Sequence, residues 1–326
     1  MGAKKWWILV PLILIIAYLM GPHPSHPVFN KTMPIVPENL DSFVTNNELQ
    51  YKLRPDNEAR IVWANDSAHT KTEYAILYLH GFSASQGEGD PVHKNIAKRF
   101  GCNLYLSRLA EHGIDTTEQL VNFTADKLWE SAKEAYAIAS KLGDKVIIMG
   151  TSTGGTLALM LAAQHPEVSA LILLSPNIRI FDKNSWLLNN PWGLQIARMV
   201  VGSHYVFSDD TRPLYKQYWN YGYRLEAVTQ LEEMLETSMN EDLFKKVKQP
   251  TLMLYYYKDP VHQDSVVKID EMQKMFAQLG TPADKKLAVA MPNAGNHVLG
   301  SYIKSHDVEG VQKEIEKFMT DVLKMK

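Results

Sequence analysis

Val146-Ile147-Ile148-Met149-Gly150-Thr151-Ser152-Thr153-Gly154 runs straight into Thr156-Leu157-Ala158-Leu159-Met160-Leu161-Ala162-Ala163. A short run that is apolar at every position suits a strand covered on both faces. The second run has the composition of a buried helix. Between them lies G-x-S-x-G, with Gly150 and Gly154 two residues either side of Ser152. A turn this sharp between strand and helix leaves no room for a Cβ at those two positions. The spacing therefore predicts a strained turn that lifts Ser152 to the end of a sheet and sets the Thr153 N–H at a helix N-terminus.

The same kind of apolar run recurs at Tyr74–Leu79, Ala170–Leu174, Thr251–Tyr257 and Leu287–Met291, and Cys102 opens another strand. Helical patterns fall between them. Ala125, Leu128, Trp129, Ala132, Ala135, Tyr136 and Ala139 form one apolar stripe, and Val266–Leu279 and Val308–Met325 read as helices. This alternation predicts an α/β fold with a mostly parallel central sheet and helices on both faces. Residues 177–248 break it: they hold no convincing strand and are rich in aromatics, from Phe181 to Tyr223. Seventy residues are too many for a bare loop, so a helical cap insertion is expected there.

A serine hydroxyl attacks poorly unless a base takes its proton and a carboxylate orients the base. The strand 251–257 runs into Lys258-Asp259-Pro260, and an Asp just past a strand's C-terminal end is well placed for that task. Asp259 is the expected acid. Asp264 and Asp270 are its rivals further along, and Asp182, Asp209 and Asp210 lie in the insertion. The last strand, 287–291, leads into Pro292-Asn293-Ala294-Gly295-Asn296-His297, which makes His297 the expected base. His306 is its nearest rival, but it opens the final helix, where the dipole disfavours imidazolium. The loop His80-Gly81-Phe82-Ser83 should supply the Phe82 N–H as a second oxyanion donor beside that of Thr153, with His80 packed beneath it.

On these residues the chain resembles the α/β-hydrolase superfamily over roughly residues 60–326. It is similar in particular to its carboxylesterase and monoacylglycerol-lipase-like (serine aminopeptidase-like) serine hydrolases. Arg108-Leu109-Ala110-Glu111-His112-Gly113 and the position of the insertion after Ser175 also resemble that group; Asn296 stands where Gly is common. The resemblance implies hydrolysis of carboxylic esters with apolar or lipid-like acyl groups, through a Ser152–His297–Asp259 triad and an acyl-enzyme, without a cofactor. Amide or thioester hydrolysis and acyl transfer use the same triad. A tethered binding protein that keeps the fold without the activity is the alternative of another class.

Bulk properties agree with a catalytic domain. The hydrophobic fraction of 45% and charged fraction of 21% are those of a globular chain, and a net charge of -2 gives no footprint for nucleic acid. The one cysteine, Cys102, reads as core. His23-x-x-His26 lacks further ligands for a metal. Trp6–Met20 is an uncharged apolar run behind Lys4 and Lys5. Fifteen residues are borderline for a span, with Gly2 and Ala3 available to lengthen it. Residues 1–20 are therefore expected to be a membrane anchor, or a signal whose removal would leave the protein secreted or periplasmic. The anchor would place the catalytic domain on the non-cytosolic side. Residues 21–40 read as a linker, and 41–326 as the hydrolase domain with its insertion.

Overall fold

The computed structural model describes residues 3–326, with side chains from Leu9 onward. In chain order, α1 (Ala3–Leu19) and α2 (Leu40–Glu48) precede β1 (Arg60–Val62), β2 (Thr72–Leu79), α3 (Val92–Arg99) and β3 (Asn103–Leu106). Then come α4 (Ala125–Leu142), β4 (Gly143–Thr151), α5 (Thr153–Gln164) and β5 (Ala170–Leu174). The insertion holds α6 (Gly193–Val201), β6 (Tyr205–Phe207), α7 (Pro213–Tyr218), β7 (Gly222–Arg224), α8 (Leu225–Ser238) and α9 (Glu241–Phe244). The chain closes with β8 (Thr251–Tyr255), α10 (Ile269–Gln278), β9 (Lys286–Ala290) and α11 (Val308–Asp321).

Seven strands form one sheet in the order β1-β3-β2-β4-β5-β8-β9. All neighbours are parallel except β1, which pairs antiparallel with β3. The predicted strands are all present. Their apolar runs are continuous because the two faces meet different cores. In β2, Ala75, Leu77 and Leu79 join one cluster with Trp129 and Leu128 of α4 and Leu157 of α5. Ile76 and Tyr78 join a second with Val92 and Ile96 of α3 and Phe318 of α11. Period-two alternation thus assigns side chains to opposite layers, both buried. The chain leaves β2 to one side for β3 and returns on the other for β4, and at such a crossing the C-terminal strand ends open a crevice.

Two expectations change. The insertion is mainly helical, but β6 and β7 pair as a short antiparallel ribbon, from Tyr205 opposite Arg224 to Phe207 opposite Gly222. Three-residue strands are too short to show an alternation. The N-terminal anchor is overturned, together with the location it implied: no helix among the described residues is long and apolar enough to cross a membrane. Helix α1 has 17 residues, about 25 Å at 1.5 Å per residue, against about 30 Å of hydrocarbon. Its C-terminal end meets the insertion, where Trp192 Nε1 donates to the Ala17 carbonyl at 3.0 Å and the Trp192 N–H to that of Pro22 at 2.9 Å. Gly2 and the side chains of Lys4 and Lys5, on which length and orientation rested, lie outside the described residues. The segment read as a linker is extended and laid along α4: Val28 N–H donates to Asp126, and Trp129 and Lys133 donate to Asn30.

Candidate active site

Ser152 sits between β4 and α5 at φ 54° and ψ -117°, a conformation costly for any residue with a side chain. The two glycines show what holds it. A Cβ on Gly150 would lie 2.4 Å from the Gly154 carbonyl oxygen, and one on Gly154 would lie 2.0 Å from that of Leu79. The Ser152 N–H donates to Leu174 O at 2.9 Å, tying the turn to β5. Among the described residues neither the Thr153 N–H nor the Phe82 N–H has a protein acceptor.

The loop after β2 is fastened by two buried histidines. His80 Nε2 accepts the Leu109 N–H at 3.0 Å, so its Nδ1 carries the proton and donates to Gly81 O at 2.9 Å. His112 Nε2 accepts the Ser83 N–H at 3.0 Å and its Nδ1 donates to Ala110 O at 2.8 Å. Burial pushes His80 down to about 4 and His112 well below the usual imidazole range, so both are neutral. Each uses both ring nitrogens on backbone, which makes them clamps and leaves neither free as a base. His306 takes the Ala294 carbonyl with its backbone N–H and stands just before the Asp307 cap of α11.

His297 is held differently. Its Nδ1 lies 2.6 Å from Asp264 Oδ2, and its Nε2 is buried with no hydrogen-bond partner. Burial works to lower its pKa, but the Asp264 charge and hydrogen bond, with the Glu88 charge, outweigh it, and the pKa is raised. Asp264 is fully buried, and its Oδ1 accepts the Val266 and Val267 N–H groups at 2.8 and 3.1 Å. Three donors converge on this one carboxylate and fix its direction.

Asp259, the acid expected from the sequence, is not brought to His297. It is exposed, accepts the Val261 and His262 N–H groups at 2.9 and 2.8 Å, and pairs with the His262 ring at 2.9 Å. Hydrogen bonds from the His262 backbone and ring lower its pKa to about 2. The chain makes a short excursion past β8: Tyr257 bridges Gln263, and Asp264 N–H donates to Tyr256 O at 3.1 Å. Five residues later in sequence, Asp264 is back at the strand end. The signal available in the sequence was an Asp followed at two and three residues by Val266 and Val267, whose amides it caps.

Ser152 and His297 line one cavity of about 400 Å³ above the C-terminal edge of the sheet. The serine turn follows β4, the His80–Ser83 loop follows β2, and Asp264 and His297 follow β8 and β9. The chain has the α/β-hydrolase fold. The sequence profile of the alpha/beta hydrolase fold family matches residues 74–199. A thermostable monoacylglycerol lipase from Bacillus sp. (strain H-257) is 29% identical over 105 residues, 32% of this chain and 41% of the lipase. A pimeloyl-[acyl-carrier protein] methyl ester esterase from Nitrosomonas europaea is 27% identical over 140 residues, 43% of this chain and 50% of the esterase. The chain thus matches half or less of the length of these relatives. Among solved structures, one reported for LipS and LipT, two metagenome-derived lipolytic enzymes, aligns at TM-score 0.64 and 18% identity over 83% of this chain and 100% of that one. A monoacylglycerol lipase from Paleococcus ferrophilus aligns at 0.58 and 12% over 81% and 99%. Both show the fold.

Around this hydrolase-fold site the insertion contributes Ile180, Tyr215, Trp219, Tyr223, Val228 and Leu231 to the cavity wall. Among the further polar residues that line it, two buried ones were not singled out from the sequence. Asn177 follows β5, is buried, and has an Oδ1 with no partner. Glu88 is buried too, in a short glycine-bounded turn, Gln86–Gly89. Cys102 lies in the core, where burial pushes its thiol up to about 12.

Proposed function

We propose that this protein is a serine hydrolase that cleaves carboxylic esters with apolar acyl groups, using Ser152 as nucleophile, His297 as base and Asp264 as orienting acid. The observation that carries the reading is His297, paired with buried Asp264, sharing a cavity with a serine held in a nucleophile-elbow turn. The lipase and esterase relatives support the reaction class. The aliphatic wall of Ile180, Val228, Leu231 and Val266 supports an apolar acyl group. We read residues 177–248 as a cap on a hydrolase domain spanning 41–326.

In this reading Asp264 keeps the proton of His297 on Nδ1, which leaves Nε2 to take the Ser152 hydroxyl proton as Oγ attacks the acyl carbon. The carbonyl's π electrons move to oxygen, and the Phe82 and Thr153 N–H groups receive the oxyanion. As the tetrahedral adduct collapses, the alcohol leaves with the proton from His297. Water then attacks the acyl-Ser152 ester, giving its proton to His297, and the carboxylic acid departs as Ser152 recovers its hydroxyl hydrogen. The test is labelling of the full chain by a fluorophosphonate beside Ser152→Ala. Labelling of wild type alone, with hydrolysis of p-nitrophenyl butanoate lost in the variant, is expected. An unlabelled wild type, or equal labelling of both, would remove the basis of the proposal.

A further inference from the structure

Glu88 does nothing in the mechanism above, yet its position is specific. A Cβ on Gly81 would stand 2.9 Å from Glu88 Oε1 and 3.1 Å from Ser152 Cβ. Carboxylate and nucleophile are therefore at most about 6 Å apart, the sum of those two legs. The turn that carries Glu88 is clamped by aromatic rings: a Cβ on Gly87 would meet Tyr218 at 2.4 Å, and one on Gly89 would meet Tyr78 at 2.5 Å.

One Glu88 oxygen accepts the Gly81 N–H at 2.5 Å. That bond accounts for an acceptor at this position but not for a charge, since a neutral acceptor would satisfy the amide without the desolvation an ion suffers. A carboxylate here also opposes the oxyanion that forms on Ser152's adduct. No lysine or arginine bridges it among the described residues. Its favourable neighbours are the Gly81 N–H, the charge of His297, and Trp219. The cavity's one lysine, Lys304, is held by Asp210 at 2.7 Å and lies over the Tyr215 ring. Among the described residues Glu88 is the sole acid lining the cavity, and Phe82, Tyr215, Trp219 and Tyr223 line it as well. A buried carboxylate with no lysine or arginine partner, in a cavity also lined by Phe82 and Tyr223, is a receptor for an organic cation.

We propose that Glu88 is a specificity-determining residue that receives an alkylammonium group on the alcohol side of the ester, so that the preferred substrates are esters of amino alcohols. This rests on the serine-hydrolase reading and names its substrate class. The cation supplies the charge partner that the fold withholds. Two methylenes between ester oxygen and nitrogen place the ammonium within reach of a carboxylate at most about 6 Å from the Ser152 Cβ. The aliphatic wall remains for the acyl chain. Burial raises Glu88 to about 7, so the preference should grow as pH rises from 6 to 8 and the carboxyl ionises. Of the titratable groups that feel Glu88, the Tyr78 and Tyr215 phenols stay neutral in that range, and His297 acts on charged and uncharged esters alike.

The experiment compares kcat/KM of the full chain for choline butanoate and its uncharged isostere 3,3-dimethylbutyl butanoate, in wild type and Glu88→Gln. The readout is the ratio within each protein, so a general loss of activity in the variant cancels. A ratio of about 10–100 in wild type that falls to about 1 in Glu88→Gln is expected. Fluorophosphonate labelling of Ser152 in both proteins certifies an intact site. For a variant that does not fold, the wild-type ratio between pH 6 and 8 is decisive, a rise being expected. A wild-type ratio near 1, a ratio unchanged by Glu88→Gln, or a ratio independent of pH overturns the inference while leaving the hydrolase standing, provided Ser152 labels. If wild type neither labels nor turns over either ester, both fall together.

Discussion

Asp264→Asn is the substitution that separates the proposed acid from its exposed neighbour. Asp264 Oδ1 accepts two backbone N–H groups, from Val266 and Val267, and Oδ2 lies 2.6 Å from His297 Nδ1. In the variant the carboxamide oxygen must stay on the two backbone donors, because an NH₂ there would face them. The NH₂ then points at Nδ1 and donates to it. His297 is driven to the tautomer with its proton on Nε2, which cannot accept the Ser152 proton. A wrong-tautomer base lowers kcat by about 10³–10⁴, or about 4–5.5 kcal/mol of transition-state stabilisation. Stability should change far less, by about 1–2 kcal/mol, since shape and hydrogen-bond count are kept. Asp259→Asn is the control: that carboxylate is exposed and serves only its own turn. It should alter activity by under about threefold and stability by under about 0.5 kcal/mol. The assay is steady-state hydrolysis of p-nitrophenyl butanoate, with thermal melts of all three proteins. Asp264→Asn retaining a tenth of wild-type kcat, or Asp259→Asn losing as much as Asp264→Asn, would refute the assignment.

Other outcomes follow from the same geometry. For wild type, kcat/KM for an uncharged ester should climb with pH to a plateau, because His297 must be neutral to act. The inflection, read from a pH–rate profile, should lie above the ordinary imidazole value, since the folded pKa is raised. Asn177→Leu removes a carboxamide whose buried oxygen has no partner; urea titration should show a gain of about 1 kcal/mol, accompanied by reduced activity, because the group lines the cavity. Gly154→Ala would drive a Cβ to within 2.0 Å of Leu79 O and 2.8 Å of His80 O, and loss of more than about 4 kcal/mol or failure to fold is expected by the same titration. His80 and His93 are buried neutral, each pushed down to about 4, and His112 falls lower still. Because the unfolded state binds protons that the native state does not, their contribution is full above the unfolded imidazole value and is lost as pH falls from about 6.5 towards 4. Glu88, raised by burial, acts with the opposite sign between about 4.5 and 7. The three histidines outweigh Glu88, so urea stability around pH 5.5 should rise with pH, by on the order of 1–3 kcal/mol per pH unit.

Much of this molecule follows from its linear pattern. Runs such as Ile147–Met149 and Ala170–Leu174 are apolar at every position, a requirement of strands with a core on both faces, and local spacing alone reveals it. The turn at Ser152 was legible for a similar reason: a Cβ on Gly150 would strike the Gly154 carbonyl across one turn, a constraint written within five residues, although the limit on Gly154 itself comes from Leu79 of the neighbouring strand. His297 was legible from its place after the last strand. The acid was not. Distance along the chain favours Asp259, but the bridge between Tyr257 and Gln263 folds the intervening residues outward and returns Asp264 to the strand end. The N-terminal run misled in the opposite way: its end was read to within a residue, but α1, at 17 residues, falls short of the length a span needs. Glu88 and Asn177 had no local mark at all. Their roles depend on which groups from distant loops stand beside them, and on how much water those groups exclude. Sequence by itself determined the layers and the strand-to-helix turn that carries Ser152, because those obey constraints between near neighbours. Tertiary structure alone decided which carboxylate meets His297 and which one lines the cavity beside Ser152, because loop closure and burial are set by contacts far apart in the chain.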